Sequence, residues 1–163
     1  MPVRVQYEDF DLSTELARLR AGHPHAGATV AFVGTVREMD DGAAVSLLEL
    51  EHYPGMTEAA LDEIAAQARQ RWRLIDVLVV HRIGPLRGCE QIVLVAVAAR
   101  HRGEAFAACE FIMDYLKSRA PFWKKEMTSQ GERWVDARES DEAALARWAG
   151  AVPEARLLYS CDP

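Results

Sequence analysis

Long apolar runs are missing from this chain: none approaches the ~18 residues that cross a bilayer, which argues against a membrane-spanning helix. Cysteine is scarce. The three present, Cys89, Cys109 and Cys161, form no CxxC pair, so neither a disulfide framework nor a metal site is expected. Gly/Ser linkers, repeats and low-complexity tracts are absent, and a single domain over residues 1–163 is expected. The first residues lack the apolar core of a signal peptide, which points to a cytoplasmic protein. There is no Walker loop, no GxGxxG and no Ser/His/Asp order, so nucleotide-cradling and serine-hydrolase chemistry have no foothold.

Lysine is equally scarce, and its placement is informative. Of 19 Lys+Arg only three are lysines, Lys117, Lys124 and Lys125. A chain that otherwise uses arginine has put its primary amines within nine residues of one another. Lysine can exchange protons where arginine cannot, because burial and neighbouring charge can lower its pKa into a useful range. A solvated cationic face would explain the same cluster, and composition alone weighs the two equally. The formal charge is -6, which argues against general nucleic-acid binding. Residues 100–125 nevertheless carry six cations against three acids.

Pattern supplies an outline of the elements. Val3–Tyr7 alternates as a short strand, and Ser13-Thr14 is placed to cap a helix through Leu16 and Leu19. The nearly continuous apolar run Ala28–Arg37 reads as a buried strand. Val45–His52 alternates, with Leu48, Leu50 and His52 on one face and Glu49 and Glu51 on the other. With Asp40-Asp41-Gly42 between them, these two strands are expected to form a hairpin. Thr57 caps a helix running to Trp72; Ile75–Ile83 and Gln91–Ala99 are strands joined by a Gly84–Gly88 turn. A long helix over Gly103–Arg119 places Phe106, Cys109, Ile112, Met113 and Leu116 on its inner stripe, and Pro121 ends it. Phe122–Met127 and Arg133–Ala137 form a hairpin around Ser129-Gln130-Gly131, and Asp141 caps a last helix. Mixed order without βαβ alternation gives an α+β fold.

Arg100-His101-Arg102 sits where a buried strand ends and a helix begins. Cations there oppose the helix dipole, and a bound anion such as phosphate would reverse the sign. Arg37 ends its strand at a polar loop, where, taken alone, an ion pair with a neighbour such as Glu38 is the better explanation. Lys117 and Arg119 suit a helix C-terminus. Lys124 and Lys125 lie on opposite faces of one strand, so only one can share a face with Phe122 and Glu126. Taken alone, these residues describe an α+β domain with a basic, lysine-containing anion pocket.

Longer motifs add to this. Phe32–Arg37 (FVGTVR), Leu50–Thr57 (LEHYPGMT), His81–Gly84 (HRIG), His101-Arg102, Phe111–Glu126 (FIMDYLKSRAPFWKKE) and Arg133–Arg138 (RWVDAR) resemble the large, catalytic subunits of molybdopterin synthase, the MoaE family. The likeness covers the chain from about Ala28 to Trp148. It implies an α/β hammerhead with an added antiparallel β subdomain. It also implies a sulfurtransferase that inserts two sulfurs into cyclic pyranopterin monophosphate to make molybdopterin, with no metal and no cofactor of its own. The sulfur would arrive as a thiocarboxylate on the C-terminal Gly-Gly of a small ubiquitin-like carrier. Two large subunits would form a homodimer carrying one small subunit at each end, a heterotetramer, with neither nucleic acid nor membrane as partner. The last residues here read Ser-Cys-Asp-Pro163, so a separate carrier is expected.

Matched position by position, the family's substrate-binding residues fall on Thr35, Val36, Arg37, His101, Arg102, Lys117, Lys124, Lys125, Glu126 and Arg138, with Lys117 and Lys124 as the catalytic pair. Two departures, Cys89 and the Met39–Ala43 loop, touch none of these positions. A non-catalytic dimeric binder of a phosphorylated ligand remains the alternative from another class; it would need the anion site but no channel for a partner's tail.

Overall fold

The computed structural model describes residues 2–40, 43–135 and 139–149. In chain order the elements are β1 (Val3–Gln6), α1 (Leu12–Arg20), β2 (Ala28–Thr35), β3 (Met39–Asp40), β4 (Ala43–His52), α2 (Met56–Arg71), β5 (Leu74–Arg82), β6 (Gly84–Leu86), β7 (Gln91–Ala99), α3 (Arg102–Arg119), β8 (Phe122–Thr128), β9 (Gly131–Val135) and α4 (Glu139–Ala146). The α+β expectation holds, with strands gathered into two sheets. The first runs β1-β5-β7-β2; the second runs β3-β4-β8-β9, with β6 also pairing β4. No helix among the described residues is long and apolar enough to cross a membrane.

β5 and β7 are the centre of the first sheet, and Val79, Val80, Leu94, Val95 and Val97 are wholly buried. Apolar side chains on both faces need cover on both faces. α2 and α3 pack on one side through Leu61, Ile64, Ala108, Phe111 and Ile112. α1 covers the other through Leu19, against Leu78, Val80 and Leu94. The second sheet has a much smaller core, with Val36, Leu48, Leu50 and Leu86 as its buried cluster.

Several expectations need correction. β2 does not form a hairpin with β4. It pairs antiparallel with β7, while β4 pairs with β8 and β6, so the two belong to different sheets. β2 is also an edge strand rather than a buried one, and Phe32 is 40% exposed. The cap of α1 is Asp11, whose carboxylate accepts from the Thr14 amide at 2.7 Å, not Ser13-Thr14. α2 starts from Gly55, and Glu58 accepts from the Gly55 amide at 2.7 Å. Thr57 lies inside the helix and is wholly buried; its hydroxyl accepts from the Tyr53 amide and donates to the Pro121 carbonyl. Phe106 points outward and is 56% exposed, because the inward positions on the first turns of α3 are Ala105 and Ala108. Part of the Gly84–Gly88 turn is strand β6. Asp141 lies within α4, which begins at Glu139, and is not its cap.

Candidate functional site

The ends of β5, β7 and β2, together with the C-terminal end of α3, meet the inner face of the second sheet. A cavity of about 570 Å3 lies at this junction. That volume is in the range of sites that enclose small molecules. Register explains which side chains line it. Leu48 pairs with Glu126, Leu50 with Lys124 and His52 with Phe122, so these alternate residues share one face of the second sheet. The opposite face carries Glu49 against Lys125 and Glu51 against Trp123. Lys124 therefore lines the cavity with Phe122 and Glu126. Lys125 does not: its ammonium pairs with Glu132 at 2.8 Å and lies 5.7 Å from the Trp134 ring centre. That pairing, with Glu49 and Glu51 nearby, raises the Lys125 pKa.

The opposite wall comes from the first sheet. The β2–β7 register slips between Gly34 and Thr35, an irregularity that redirects the strand. Past it, the Val36 amide donates to the Glu90 carbonyl at 2.9 Å, and Thr35, Val36 and Arg37 turn along the cavity. Lys117 reaches the cavity from the last turn of α3, where Leu116 is buried beside it. Glu126 is buried, and its carboxylate accepts from the Arg133 guanidinium at 2.7 Å, which neutralises it in place. The remaining lining charges are Arg37, Lys117 and Lys124 against Asp141, so the cavity favours an anionic ligand. Among the described residues, no group of three or more His, Cys, Asp or Glu side chains gathers to hold a metal ion.

His101 and Arg102 are not at this cavity. His101 is the N-cap of α3 and makes no side-chain capping bond; Arg102 is the helix's first residue, and both are exposed. Lys117 is at the other end of the same helix, about 22 Å away at ~1.5 Å per residue. Thus six of the ten matched positions meet around one cavity, Thr35, Val36, Arg37, Lys117, Lys124 and Glu126. Lys125 faces away, His101 and Arg102 lie a helix length off, and Arg138 is outside the described residues.

His81 lines the cavity and was not among the sequence candidates. It is 3% exposed and stacks on Phe122, with ring centres 3.8 Å apart and 19° between planes. Burial above all, with the positive charges of Lys124 and Lys117 and the neighbouring His52, pushes its pKa down to about 3 against an opposing bond to the Arg82 carbonyl. A histidine where the apolar run Val77–Val80 gives way to polar side chains was the signal available in the sequence. Of the cysteines, Cys109 is buried in the core, where burial pushes its thiol up to about 12. Cys89 is exposed on a turn with φ 70°, and Cys161 is outside the described residues.

Comparison with known proteins places this geometry among relatives. A family model described as MoaE protein matches residues 5–119. A molybdopterin synthase catalytic subunit from Ralstonia nicotianae is 69% identical over 146 residues, 90% of this chain and 83% of that one. The solved structure of a molybdopterin biosynthesis MoaE protein from Burkholderia ambifaria is 61% identical with TM-score 0.79, covering 91% of this chain and 97% of the other. A crystal structure of molybdopterin synthase from Staphylococcus aureus is 32% identical with TM-score 0.78, covering 83% and 98%.

Proposed function

The chain belongs to the MoaE family of molybdopterin synthase catalytic subunits, and from that premise we propose that its cavity inserts two sulfurs into cyclic pyranopterin monophosphate. The observation that carries the proposal is the convergence of Lys117 from α3 and Lys124 from β8 on one cavity with Arg37. Arg37 holds the anionic substrate, which spends binding energy on orientation. The thiocarboxylate sulfur of a small ubiquitin-like carrier attacks a side-chain carbon of the pterin, forming a C–S bond as a C–O bond at that carbon breaks and its oxygen leaves, protonated, as water or as the freed phosphate-ester oxygen. Lys117 exchanges protons with the intermediate as general acid and base, and Lys124 stabilises the negative charge that develops. Water then releases the carrier as a carboxylate, and a second carrier repeats the transfer. Arg37 and Lys117 are exposed, which leaves the cavity accessible to an incoming tail.

The distance between Arg102 and Lys117 is too great for one small ligand to touch both in one chain. It suits a homodimer. Arg102, Phe106, Glu110 and Lys117 are all exposed and recur at four-, four- and seven-residue spacing, so they run along one face of α3. Two such faces packed antiparallel about a two-fold axis would bring one copy's His101 and Arg102 to the other copy's Lys117. Mixing inactive Lys117→Ala and Arg102→Ala chains should then restore up to about a quarter of wild-type activity, from the one intact site in each mixed dimer. No recovery on mixing would mean that each site is built from a single chain.

The test of the function itself uses purified chain, pyranopterin substrate and carrier. Dithiolene product should form with thiocarboxylated carrier and not with carrier ending in a plain carboxylate. A variant with Cys89, Cys109 and Cys161 all replaced should still make product. Product from the carboxylate carrier, or loss of activity traced to one cysteine in a folded variant, would move the sulfur chemistry onto this chain.

A further inference from the structure

We propose that His81, to which the family resemblance gives no role, is a fixed, uncharged hydrogen-bond acceptor that receives an N–H of the bound pterin in the cavity. The inference deepens the reading above and rests on it. The tautomer follows from the partner. His81 Nδ1 lies 2.8 Å from the Arg82 carbonyl oxygen, and a carbonyl can only accept, so Nδ1 carries the proton. In a neutral ring Nε2 then bears the lone pair. Neutrality is enforced by the surroundings: the ring is buried, stacked on Phe122, and faces the cations of Lys117 and Lys124 and the side chain of His52.

The imidazole is also held still. Arg82, whose carbonyl it bonds, is itself tied to the Tyr7 and Gln91 carbonyls and paired with Asp9 and Glu90. Phe122 follows Pro121, whose carbonyl receives the buried Thr57 hydroxyl. A pterin ring presents N–H donors, whereas Arg37, Lys117 and Lys124 are donors only. Of the other polar groups in the wall, Glu126 already holds Arg133, Asp141 is a carboxylate, and the hydroxyls of Thr35 and Ser118 can donate as well as accept. His81 Nε2 is thus an uncharged wall group that can only accept, which suits the heterocycle rather than the phosphate.

Two measurements test this. In 15N-histidine NMR of the wild-type protein, His81 should show a protonated Nδ1 and an unprotonated Nε2, unchanged from pH 8 to pH 5. Titration near the ordinary histidine value, or the other tautomer, would overturn the proposal. In turnover assays with thiocarboxylated carrier, His81→Phe, which keeps the stack, should raise the KM for pterin at least tenfold with a smaller change in kcat. His81→Gln, which returns an acceptor near Nε2, should recover most of that loss. A His81→Phe enzyme within twofold of wild type, or Gln no better than Phe, would reduce His81 to packing. If His81→Phe fails to fold, the NMR result decides alone. Absence of product from wild type would instead sink the sulfur-transfer reading, leaving the tautomer result standing.

Discussion

The first sheet is centred on β5 and β7, whose apolar runs Val77–Val80 and Val93–Ala99 are buried on both faces between α1 and the α2–α3 layer. The second sheet is built from β4, β8 and β9, which alternate, and it places charge on both faces: Lys124 and Glu126 toward the cavity, Glu49, Glu51 and Lys125 away from it. The first can lose no apolar side chain cheaply, and it contributes to the cavity through Phe32 and Thr35 of β2, His81 of β5, and Ile92 and Val93 of β7. The second has a four-residue buried cluster and carries Lys124 on the middle of a strand. The difference teaches a division of labour. One sheet supplies the free energy of folding, the other spends local stability on a charged wall, and α3 links them by ending at Lys117.

The contrast can be broken most forcefully from the stable side. Phe111 is wholly buried on α3, with the rings of Trp72, Trp148 and Tyr115 around it and the Arg71 guanidinium 4.7 Å from its centre. Phe111→Ala should cost about 3–5 kcal/mol in denaturant unfolding, while folded molecules keep their affinity for substrate. An equal loss of substrate affinity in the folded fraction would show that the two regions are not separable.

A smaller effect should appear with pH. His81 is held neutral, with a pKa of about 3 in the folded protein against 6.5 when unfolded. Between those values the unfolded chain binds the extra proton. The His81 contribution is therefore complete above about pH 6.5 and is lost as pH falls toward 3, by up to about 1.4 kcal/mol per pH unit. Unfolding measured at pH 7, 6 and 5 should show this slope in wild type and its removal in His81→Phe. The smallest effect belongs to the outer face. Lys125→Ala removes an ion pair and a cation–ring contact from a solvated surface, and both melting temperature and turnover should stay close to wild type. A large drop in turnover would assign Lys125 a role from which its position on β8 removes it.

Much of this was legible in the sequence where one physical rule acts alone. The apolar runs within β5 and β7 and the β8–β9 turn each admit a single reading. The alternation of β8 separated Lys124 from Lys125 without any structure. The β2–β4 hairpin failed because nearness in the chain was weighed above strand type. The continuous apolar strand β2 found its match in β7, and the alternating β4 found its match in β8. Phe106 was misplaced because the stripe was extended by size, whereas α3 approaches the sheet through alanines. The site was readable as a cluster of lysines but not as a place. Nothing along the chain announces that His81 stacks under Phe122, or that Arg102 and Lys117 stand at opposite ends of one helix.

The central claim is that Lys117 works by exchanging protons and not merely by its charge. Single-turnover formation of dithiolene, with substrate and thiocarboxylated carrier both bound, compares wild type with Lys117→Ala and Lys117→Arg directly. Both variants should fold and bind carrier, and both should lose about a hundred- to ten-thousand-fold in rate, because a guanidinium does not give up its proton near neutral pH. A Lys117→Arg enzyme that keeps most of the wild-type rate would contradict the account.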